Sequence, residues 1–234
     1  MDIRNAFPWQ EALSRLNARH PWSHNDHFHG WILRNLPARR DAALDIGCGP
    51  GALAEKLAPC FTGVTGIDAD EGMVAAAGAR LADVPGAAIR QSGFAEFASS
   101  ADAGGADLIT MVAVLHWLDL DDALSRIPAL LAPGGRFLVV GLARPDSLAD
   151  FAFDVVSCVA NPVMGMIKHP RPVRPSPRDP GRQPGVPVQD PVTTFAEIQA
   201  AAKAYLPGAA VRRRLFFRYT LRWEKPAGVR DGLT

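Results

Sequence analysis

A short glycine-rich loop carries the residues best suited to binding chemistry in this sequence. Asp45 is followed by glycines at positions 47, 49 and 51, and segment 44–51 leaves an apolar run and enters an Ala-rich one. Such glycines allow a tight turn and a close approach between backbone and ligand, because a Cβ there would collide with it. Gly47-x-Gly49-x-x-Ala52 also satisfies the dinucleotide pattern, so the loop predicts a nucleotide-like ligand of two competing classes.

Two acidic residues near this loop distinguish the two ligand classes. Asp45 stands two residues before the first glycine, where its carboxylate in the mouth of the loop would repel a pyrophosphate and attract an ammonium or sulfonium group. Asp68 ends the second predicted strand, about 20 residues after the first glycine, where an acid hydrogen-bonds ribose hydroxyls in nucleoside-binding sheets. Asp68 suits both classes, whereas Asp45 favours a cationic ligand.

One histidine has a position suited to proton transfer. His116 follows the apolar run 106–114, and the carboxyl ends of parallel strands border the ligand crevice in sheets of this kind. An imidazole with an ordinary pKa near 6.5 could deprotonate an oxygen or nitrogen acceptor. The alternative is that His116 lines the pocket or packs against Trp117, so it is a candidate catalytic residue.

Four histidines near the start of the sequence raise the question of a metal site. The spacing of His20, His24, His27 and His29 could place three of them on one helix face. Pro21 and a helix start near position 23 put His20 outside the helix, and no acid or cysteine at ligand spacing supports a metal. We therefore predict no metal ion and an N-terminal lid over the ligand.

Short apolar runs alternate with Ala-rich helical stretches from residue 42 to residue 141. The runs 42–46, 62–67, 87–91, 106–114 and 135–141 have the length of strands, and the last two are nearly continuous, as expected of central strands. Strand, helix, strand, helix implies parallel pairing through right-handed crossovers. We predict an α/β fold, with a Rossmann-like, mostly parallel sheet and an N-terminal helical cap in which Phe28, Trp31 and Ile32 recur at helical spacing.

The second half of the chain changes in composition. Nine of the 20 prolines fall in the stretch 161–192, which excludes a helix or a central strand there. The stretch is predicted to be a solvated loop, with a lid or a partner-binding arm as the alternative. Thr194 and Glu197 have the spacing of a capping box that starts a helix ending near residue 206. Apart from Phe216, apolar and polar residues then alternate from Arg214 to Glu224, which predicts a half-buried strand in a terminal pair of strands with one antiparallel member.

The composition fits a folded protein without a polyanion partner. Hydrophobic residues make up 48% of the 234 residues, and 25 basic residues nearly balance 24 acidic ones. No apolar run reaches the roughly 18 residues that span a bilayer, no signal peptide is evident, and three scattered cysteines suggest reduced thiols. We expect a cytoplasmic protein with a small-molecule ligand and no nucleic-acid or membrane partner, and a homodimer stays open.

Taken together, these motifs resemble those of the class I S-adenosylmethionine-dependent methyltransferases. The similarity covers roughly residues 20–225 and rests on the loop 45–51, on Asp68 in GIDAD, on segment 107–117 and on the turn LAPGGR at 131–136. The terminal segments are similar to those of a small bacterial branch of the family. The resemblance implies a seven-stranded sheet of order 3-2-1-4-5-7-6 with strand seven antiparallel, and S-adenosylmethionine as cofactor.

The resemblance also implies a cofactor site. The positions it assigns to the cofactor are Asp45, Gly47, Cys48, Gly49, Gly51, Asp68, Ala69, Met73, Gly93, Phe94 and Ala113 in the core, with Trp22, His24 and Asn25 in the lid. The loop backbone would contact the methionine part of the cofactor, and Asp45 would lie near its amino group. Asp68 would hold the ribose, and Ala69 and Met73 would pack near the adenine. Gly93 stands where the family usually has an acid, so either Phe94 supplies stacking and backbone contacts or cofactor binding is weakened.

The sequence therefore predicts in-line methyl transfer to a small molecule, at oxygen or nitrogen rather than carbon. No NPPY-like tetrad of the nucleic-acid and protein methyltransferases is present. The alternatives are a non-methylating enzyme on the same fold, which would catalyse a cyclisation, elimination or rearrangement, an NAD(P)-dependent oxidoreductase, and a non-catalytic binding or regulatory protein. The predicted units are a cap (1–36), a cofactor-binding core (37–160), a Pro-rich insertion (161–192) and a C-terminal helix with a strand pair (193–234).

Overall fold

Seven strands and six α-helices make up the described part of the chain. The computed structural model describes residues 24–100, 104–146 and 190–227, and the single positions 153, 157, 160 and 164. The strands are β1 (Ala42–Ile46), β2 (Gly63–Asp68), β3 (Ala87–Gln91), β4 (Ala106–Val112), β5 (Leu131–Gly141), β6 (Ala210–Arg214) and β7 (Arg218–Glu224). The helices are α1 (His24–Leu33), α2 (Ala52–Leu57), α3 (Glu71–Leu81), α4 (Phe94–Ala98), α5 (Leu120–Leu130) and α6 (Phe195–Tyr205).

All seven strands belong to one sheet, of order β3-β2-β1-β4-β5-β7-β6. Strands β1 to β5 pair in parallel, and β7 runs antiparallel to both β5 and β6, which confirms the predicted fold class and strand order. Because β7 is reversed, its first residues pair with the end of β5, where Tyr219 lies opposite Gly141. We call the border formed by the ends of β1, β2, β4 and β5 and by the start of β7 the carboxyl edge.

Helices cover both faces of the sheet. On one face α5 and α6 bury Leu124, Ile127 and Ile198 against the central strands. On the other face α1 and α2 bury apolar side chains, among them Phe28 and Ile32, which lie four positions apart on α1 as predicted. Strands β4 and β5 are therefore covered on both sides, which explains their nearly continuous apolar sequences.

Local sequence signals account for several element boundaries. Strands β1 and β3 have the predicted bounds. Helix α6 begins at the predicted capping box, in which Thr194 Oγ1 accepts a hydrogen bond from the Glu197 amide and the Glu197 carboxylate accepts one from the Thr194 amide. Strand β4 ends two residues earlier than predicted, because Ala113 adopts a φ of +57° that no strand residue can have.

The prediction of one alternating strand from Arg214 to Glu224 was wrong in its first part. Residues 215–217 form the turn between β6 and β7, in which Phe216 and Phe217 both have positive φ, near +64° and +59°. Phe216 is buried among the side chains that α1 covers, whereas Phe217 is 39% exposed. The turn interrupts the period-two pattern, and Leu215, which the alternation would place on the same face as the buried Tyr219, is likewise 37% exposed.

Some sequence predictions fall outside the described residues. Residues 1–23 of the predicted cap do so, and of the predicted Pro-rich insertion only residues 164 and 190–192 are described. The division into four units therefore stays a prediction. Within the described ranges, no helix combines the length and apolarity needed to cross a membrane.

Candidate functional site at the carboxyl edge

The three glycines of the loop between β1 and α2 serve different purposes. Gly47 has a φ of +65°, and a Cβ at this position would collide with the side chain of Val114, which follows β4. A Cβ at Gly51 would press against α3, 3.2 Å from Ala77. Gly49 also has a positive φ, +51°, but a Cβ there would meet no atom within 4 Å. Gly47 and Gly51 are therefore needed for packing, and Gly49 leaves an open backbone surface for a ligand.

Asp68 connects the glycine loop to the start of α3. Its carboxylate accepts a hydrogen bond from the Gly49 amide at 2.9 Å and another from the Asp70 amide at 3.0 Å. Asp70 in turn caps α3 by accepting a hydrogen bond from the Met73 amide at 2.9 Å. These bonds hold the acid and the two positions predicted near the adenine, Ala69 and Met73, in one short segment beside the loop.

Asp45 differs from the expectation that its carboxylate lies in the mouth of the loop. It is 2% exposed, and its Oδ1 accepts a hydrogen bond from Thr110 Oγ1 of β4 at 2.7 Å. Burial raises the pKa of this carboxyl to about 7, the Thr110 hydrogen bond opposes the rise, and the nearby Asp68 charge adds to it. Asp45 therefore changes its protonation state near neutral pH inside the protein, and its predicted role beside the cofactor amino group remains a prediction.

Cys48 in the loop is unsuited to nucleophilic chemistry. Its side chain is buried, and its amide donates a hydrogen bond to the Ile67 carbonyl at 3.0 Å. Burial, followed by the negative charges of Asp45 and Asp68, raises the pKa of the thiol to about 12. The thiol therefore stays protonated at neutral pH, which agrees with a backbone role for this residue.

The two positions after β3 have separate surroundings. Gly93 is the N-cap of α4 and has open space around the position of a Cβ. Phe94, the first residue of α4, is 6% exposed and packs in the apolar cluster beneath α5. In this arrangement the Phe94 ring contributes to the core, and its predicted contact with the cofactor is limited to what its backbone and ring edge can reach.

His116 lies in a short 3₁₀ turn, Leu115–Trp117, directly after the strained Ala113. Its Nδ1 atom is enclosed and has no hydrogen-bond partner in the described part of the chain. Burial lowers the pKa of the imidazole, and the positive charge of Arg218 lowers it further. The ring is therefore neutral at pH 7 and can accept a proton. It also contacts the Trp117 ring, with centroids 5.6 Å apart, so the predicted packing occurs as well.

Sequence reasoning missed Arg218, the first residue of β7. Its guanidinium donates to Asn25 Oδ1 of α1 at 3.1 Å, while its Nε atom is enclosed without a partner in the described residues. The only available signal was indirect, since strand seven of this sheet order runs backwards and must begin at the carboxyl edge. A basic residue at the start of β7 therefore lies at the carboxyl edge and acts on His116, although the two are about 100 positions apart in the sequence.

The lid residues of the prediction have different outcomes. Asn25 lies beside Arg218, on the β7 side of the edge. Trp22 and the side chain of His24 lie outside the described residues. His27 packs against Phe216 with ring centroids 5.3 Å apart. In the described ranges, no three His, Cys, Asp or Glu side chains lie close enough together to hold a metal ion.

Similar proteins identify the family of this chain. The family described as "methyltransferase domain" matches residues 44–137, which include the glycine loop, Asp68 and His116. An uncharacterized methyltransferase of Mycobacterium tuberculosis is 32% identical over 211 residues, which cover 88% of this chain and 98% of the relative. The chain belongs to the class I S-adenosylmethionine-dependent methyltransferases. This confirms the family resemblance that the motifs indicate. It also confirms S-adenosylmethionine as the cofactor of this methyltransferase.

Two further proteins are similar, one over a shorter stretch of sequence and one in its fold. The trans-aconitate 2-methyltransferase of Methylobacterium radiotolerans is 36% identical over 121 residues, or 50% of this methyltransferase and 43% of that relative. The crystal structure of the N-methyltransferase NodS from Bradyrhizobium japonicum superposes with a TM-score of 0.53 at 18% identity, covering 86% of this chain and 96% of that one. At this level of identity the superposition shows the shared fold.

The residues of the carboxyl edge fit S-adenosylmethionine. The open backbone at Gly49 gives a ligand direct access to the loop, and Asp68 lies beside it with a carboxylate suited to ribose hydroxyls. The Asp45 carboxyl is buried close to Asp68, so its ionised form would add to the negative charge that favours a sulfonium or ammonium group at this border. The methyltransferase would therefore hold the cofactor with the backbone of residues 47–49 and with Asp68.

Proposed function

We propose that this methyltransferase methylates an oxygen or nitrogen atom of a small-molecule acceptor. When bound, S-adenosylmethionine supplies a methyl group on a sulfonium, which is transferred by in-line displacement. The observation that carries the proposal is the enclosed, unpartnered Nδ1 of His116 after β4. Because burial and Arg218 keep this imidazole neutral at pH 7, it can take the proton that an O–H or N–H acceptor must lose.

Other observations support a small molecule over a macromolecule. The balance of 25 basic and 24 acidic residues offers no broad phosphate-binding surface. A similar relative, matched over half of this chain, is named for trans-aconitate, a small organic acid. A cytoplasmic location, the absence of nucleic-acid partners and a homodimeric state remain predictions from the sequence.

The cofactor half of the proposal is tested by titration calorimetry. The purified protein should bind S-adenosylmethionine and S-adenosylhomocysteine but not NADH or NADPH. Asp68→Ala should weaken both affinities by about 10- to 150-fold, because a hydrogen bond to a charged group contributes about 1.5–3 kcal/mol. Glu71→Gln removes an exposed carboxylate three residues away and is the matched control, with the affinity expected to stay unchanged.

These titrations test the cofactor and the role of Asp68 separately. If neither cofactor form binds, the proposed function is wrong. If both bind equally well to Asp68→Ala and to the wild-type protein, the ribose role of Asp68 is wrong and the function stands.

A further inference from the structure

Arg218 lies at the carboxyl edge, close enough to His116 for its charge to act on the imidazole. It is the first residue of β7, and its charge lowers the pKa of His116. The side chain is half-buried, between the hairpin turn and Asn25 of α1. The guanidinium and the candidate base therefore share the part of the edge that the glycine loop does not occupy.

The bonding of this guanidinium is incomplete. One amino group donates to Asn25 Oδ1 at 3.1 Å, and the other makes a contact of 3.5 Å with the Phe217 carbonyl, at the outer limit of a hydrogen bond. The Nε–H group is enclosed and has no hydrogen-bond partner among the described residues. Burial lowers the pKa of Arg218 to about 10, so it remains charged at neutral pH.

Incomplete bonding of a half-buried guanidinium is not a general property of the arginines in the β6–β7 hairpin. Arg213 stacks over the Phe195 ring at 4.1 Å. Arg214 donates its Nε–H to the Thr220 hydroxyl at 3.0 Å. Arg222 is exposed and lies 4.0 Å from the Glu224 carboxylate. Arg218 is the arginine of this group that combines burial with an unpartnered Nε–H.

The chemistry of these groups indicates the missing partner. Burying a charge or leaving a buried donor unsatisfied costs stability, and such groups are concentrated at functional sites. The Nε–H and an amino group of arginine form a planar fork that matches the two oxygens of a carboxylate. A single guanidinium beside a neutral imidazole balances one negative charge, which fits a carboxylate better than a phosphate dianion.

We propose that Arg218 binds a carboxylate group of the acceptor, so that this methyltransferase acts on small organic acids. The inference rests on the proposed function, because it concerns the acceptor of the same reaction. It adds the substrate class and a binding residue, and Arg218 acts by positioning the acceptor beside His116.

Acetate is the probe that tests this inference, because the smallest stable carboxylate with a methyl group should fit wherever the acceptor carboxylate binds. Acetate, acetamide and inorganic phosphate are titrated at constant ionic strength into protein saturated with S-adenosylhomocysteine, while NMR follows the Arg218 Nε–H and His116 ring signals. Acetate should give saturable shifts in the millimolar range, and it should raise the pKa of His116 by offsetting the Arg218 charge. Acetamide should give none, and phosphate should bind more weakly than acetate.

Variants on the same strand provide the controls. Arg218→Gln should weaken acetate binding by at least about tenfold, and Arg218→Lys, which keeps the charge without the fork, should give an intermediate loss. Arg222→Gln should bind acetate as the wild-type protein does. The melting temperature of Arg218→Gln should not fall, because the substitution removes a charged group whose enclosed Nε–H has no hydrogen-bond partner among the described residues.

The results distinguish this inference from the proposed function. A wild-type protein that binds S-adenosylhomocysteine but shows no saturable acetate shift overturns the carboxylate site and leaves the methyltransferase function intact. The same shift in Arg218→Gln, or tighter binding of phosphate than of acetate, also overturns it. Failure of S-adenosylhomocysteine to bind contradicts the proposed function instead.

Discussion

The carboxyl edge of the sheet has two halves that differ in charge and in how completely their polar groups are bonded. In the first half, at the ends of β1 and β2, the carboxyl groups of Asp45 and Asp68 both accept hydrogen bonds from the protein. In the second half, after β4 and at the start of β7, His116 and Arg218 each keep an enclosed nitrogen without a partner in the described residues. The carboxyl groups of the first half are hydrogen-bonded within the protein, whereas the second half keeps two nitrogen atoms to which a ligand could bond.

This difference fits the ligand that each half is proposed to bind. A sulfonium cofactor is favoured by negative charge, whereas an acidic acceptor is favoured by positive charge. Opposite charges at the two ends of one edge would orient both molecules before reaction, and a preorganised arrangement of this kind contributes much of the acceleration in enzymes. The comparison makes separate predictions for the two halves.

The largest expected effect concerns the buried acid of the first half. Since the native pKa of Asp45 is about 7 and its ordinary value is near 4, the native state binds the proton more tightly than the unfolded state. Stability should therefore fall as the pH rises from about 4 to about 7 and stay reduced above that, by up to about 4 kcal/mol. Asp45→Asn keeps the acceptor for Thr110 and removes this loss.

Denaturant unfolding near pH 4 and near pH 8 checks this prediction. The variant should match the wild-type protein at the lower pH and exceed it in free energy of unfolding at the higher pH. If the difference in the free energy of unfolding does not depend on pH, Asp45 is ionised over this whole pH range. The contrast between a carboxyl group that is protonated below neutral pH and the permanently charged Arg218 would then be lost.

The next effect concerns the candidate base of the second half. His116→Ala should lower the turnover of an acceptor by about 100-fold, the usual contribution of a general base, while the affinity for S-adenosylhomocysteine is retained. The rate is measured with radiolabelled S-adenosylmethionine and the acceptor found in a panel of small organic acids. A loss of less than about threefold would reduce His116 to a residue that lines the pocket.

The smallest effect separates ligand contact from packing within the glycine loop. Gly49→Ala should weaken S-adenosylhomocysteine binding by at least about tenfold, because its Cβ would enter the open space beside the loop. Its positive φ should cost only about 1–2 kcal/mol of stability. Gly78→Ala adds the same methyl group within α3, where nothing lies within 4 Å, and should bind the cofactor normally.

Calorimetry and thermal unfolding of the two alanine variants give both quantities. Equal affinities for Gly49→Ala and Gly78→Ala would mean that the cofactor does not approach the loop at Gly49. The first half of the edge would then lose its role as the open cofactor surface.

Sequence reasoning succeeded where the signal is local or periodic. The glycine loop, the bounds of β1 and β3 and the capping box of α6 depend on residues within a few positions of one another. The strand order followed from the family resemblance, and the structure confirmed it. By contrast, the turn at 215–217 could not be recognised, because burial of Phe216 under α1 depends on residues almost 200 positions away.

The charged residues of the site also show this contrast between what is local in the sequence and what depends on tertiary packing. The sequence by itself determined which acids flank the glycine loop, since Asp45 and Asp68 have fixed positions at the ends of two strands. It could not determine that Asp45 is buried against Thr110, or that Arg218 and Asn25 meet beside His116. Those facts depend on strand neighbours and on the reversal of β7, and desolvation and charge proximity exist only once the chain has packed.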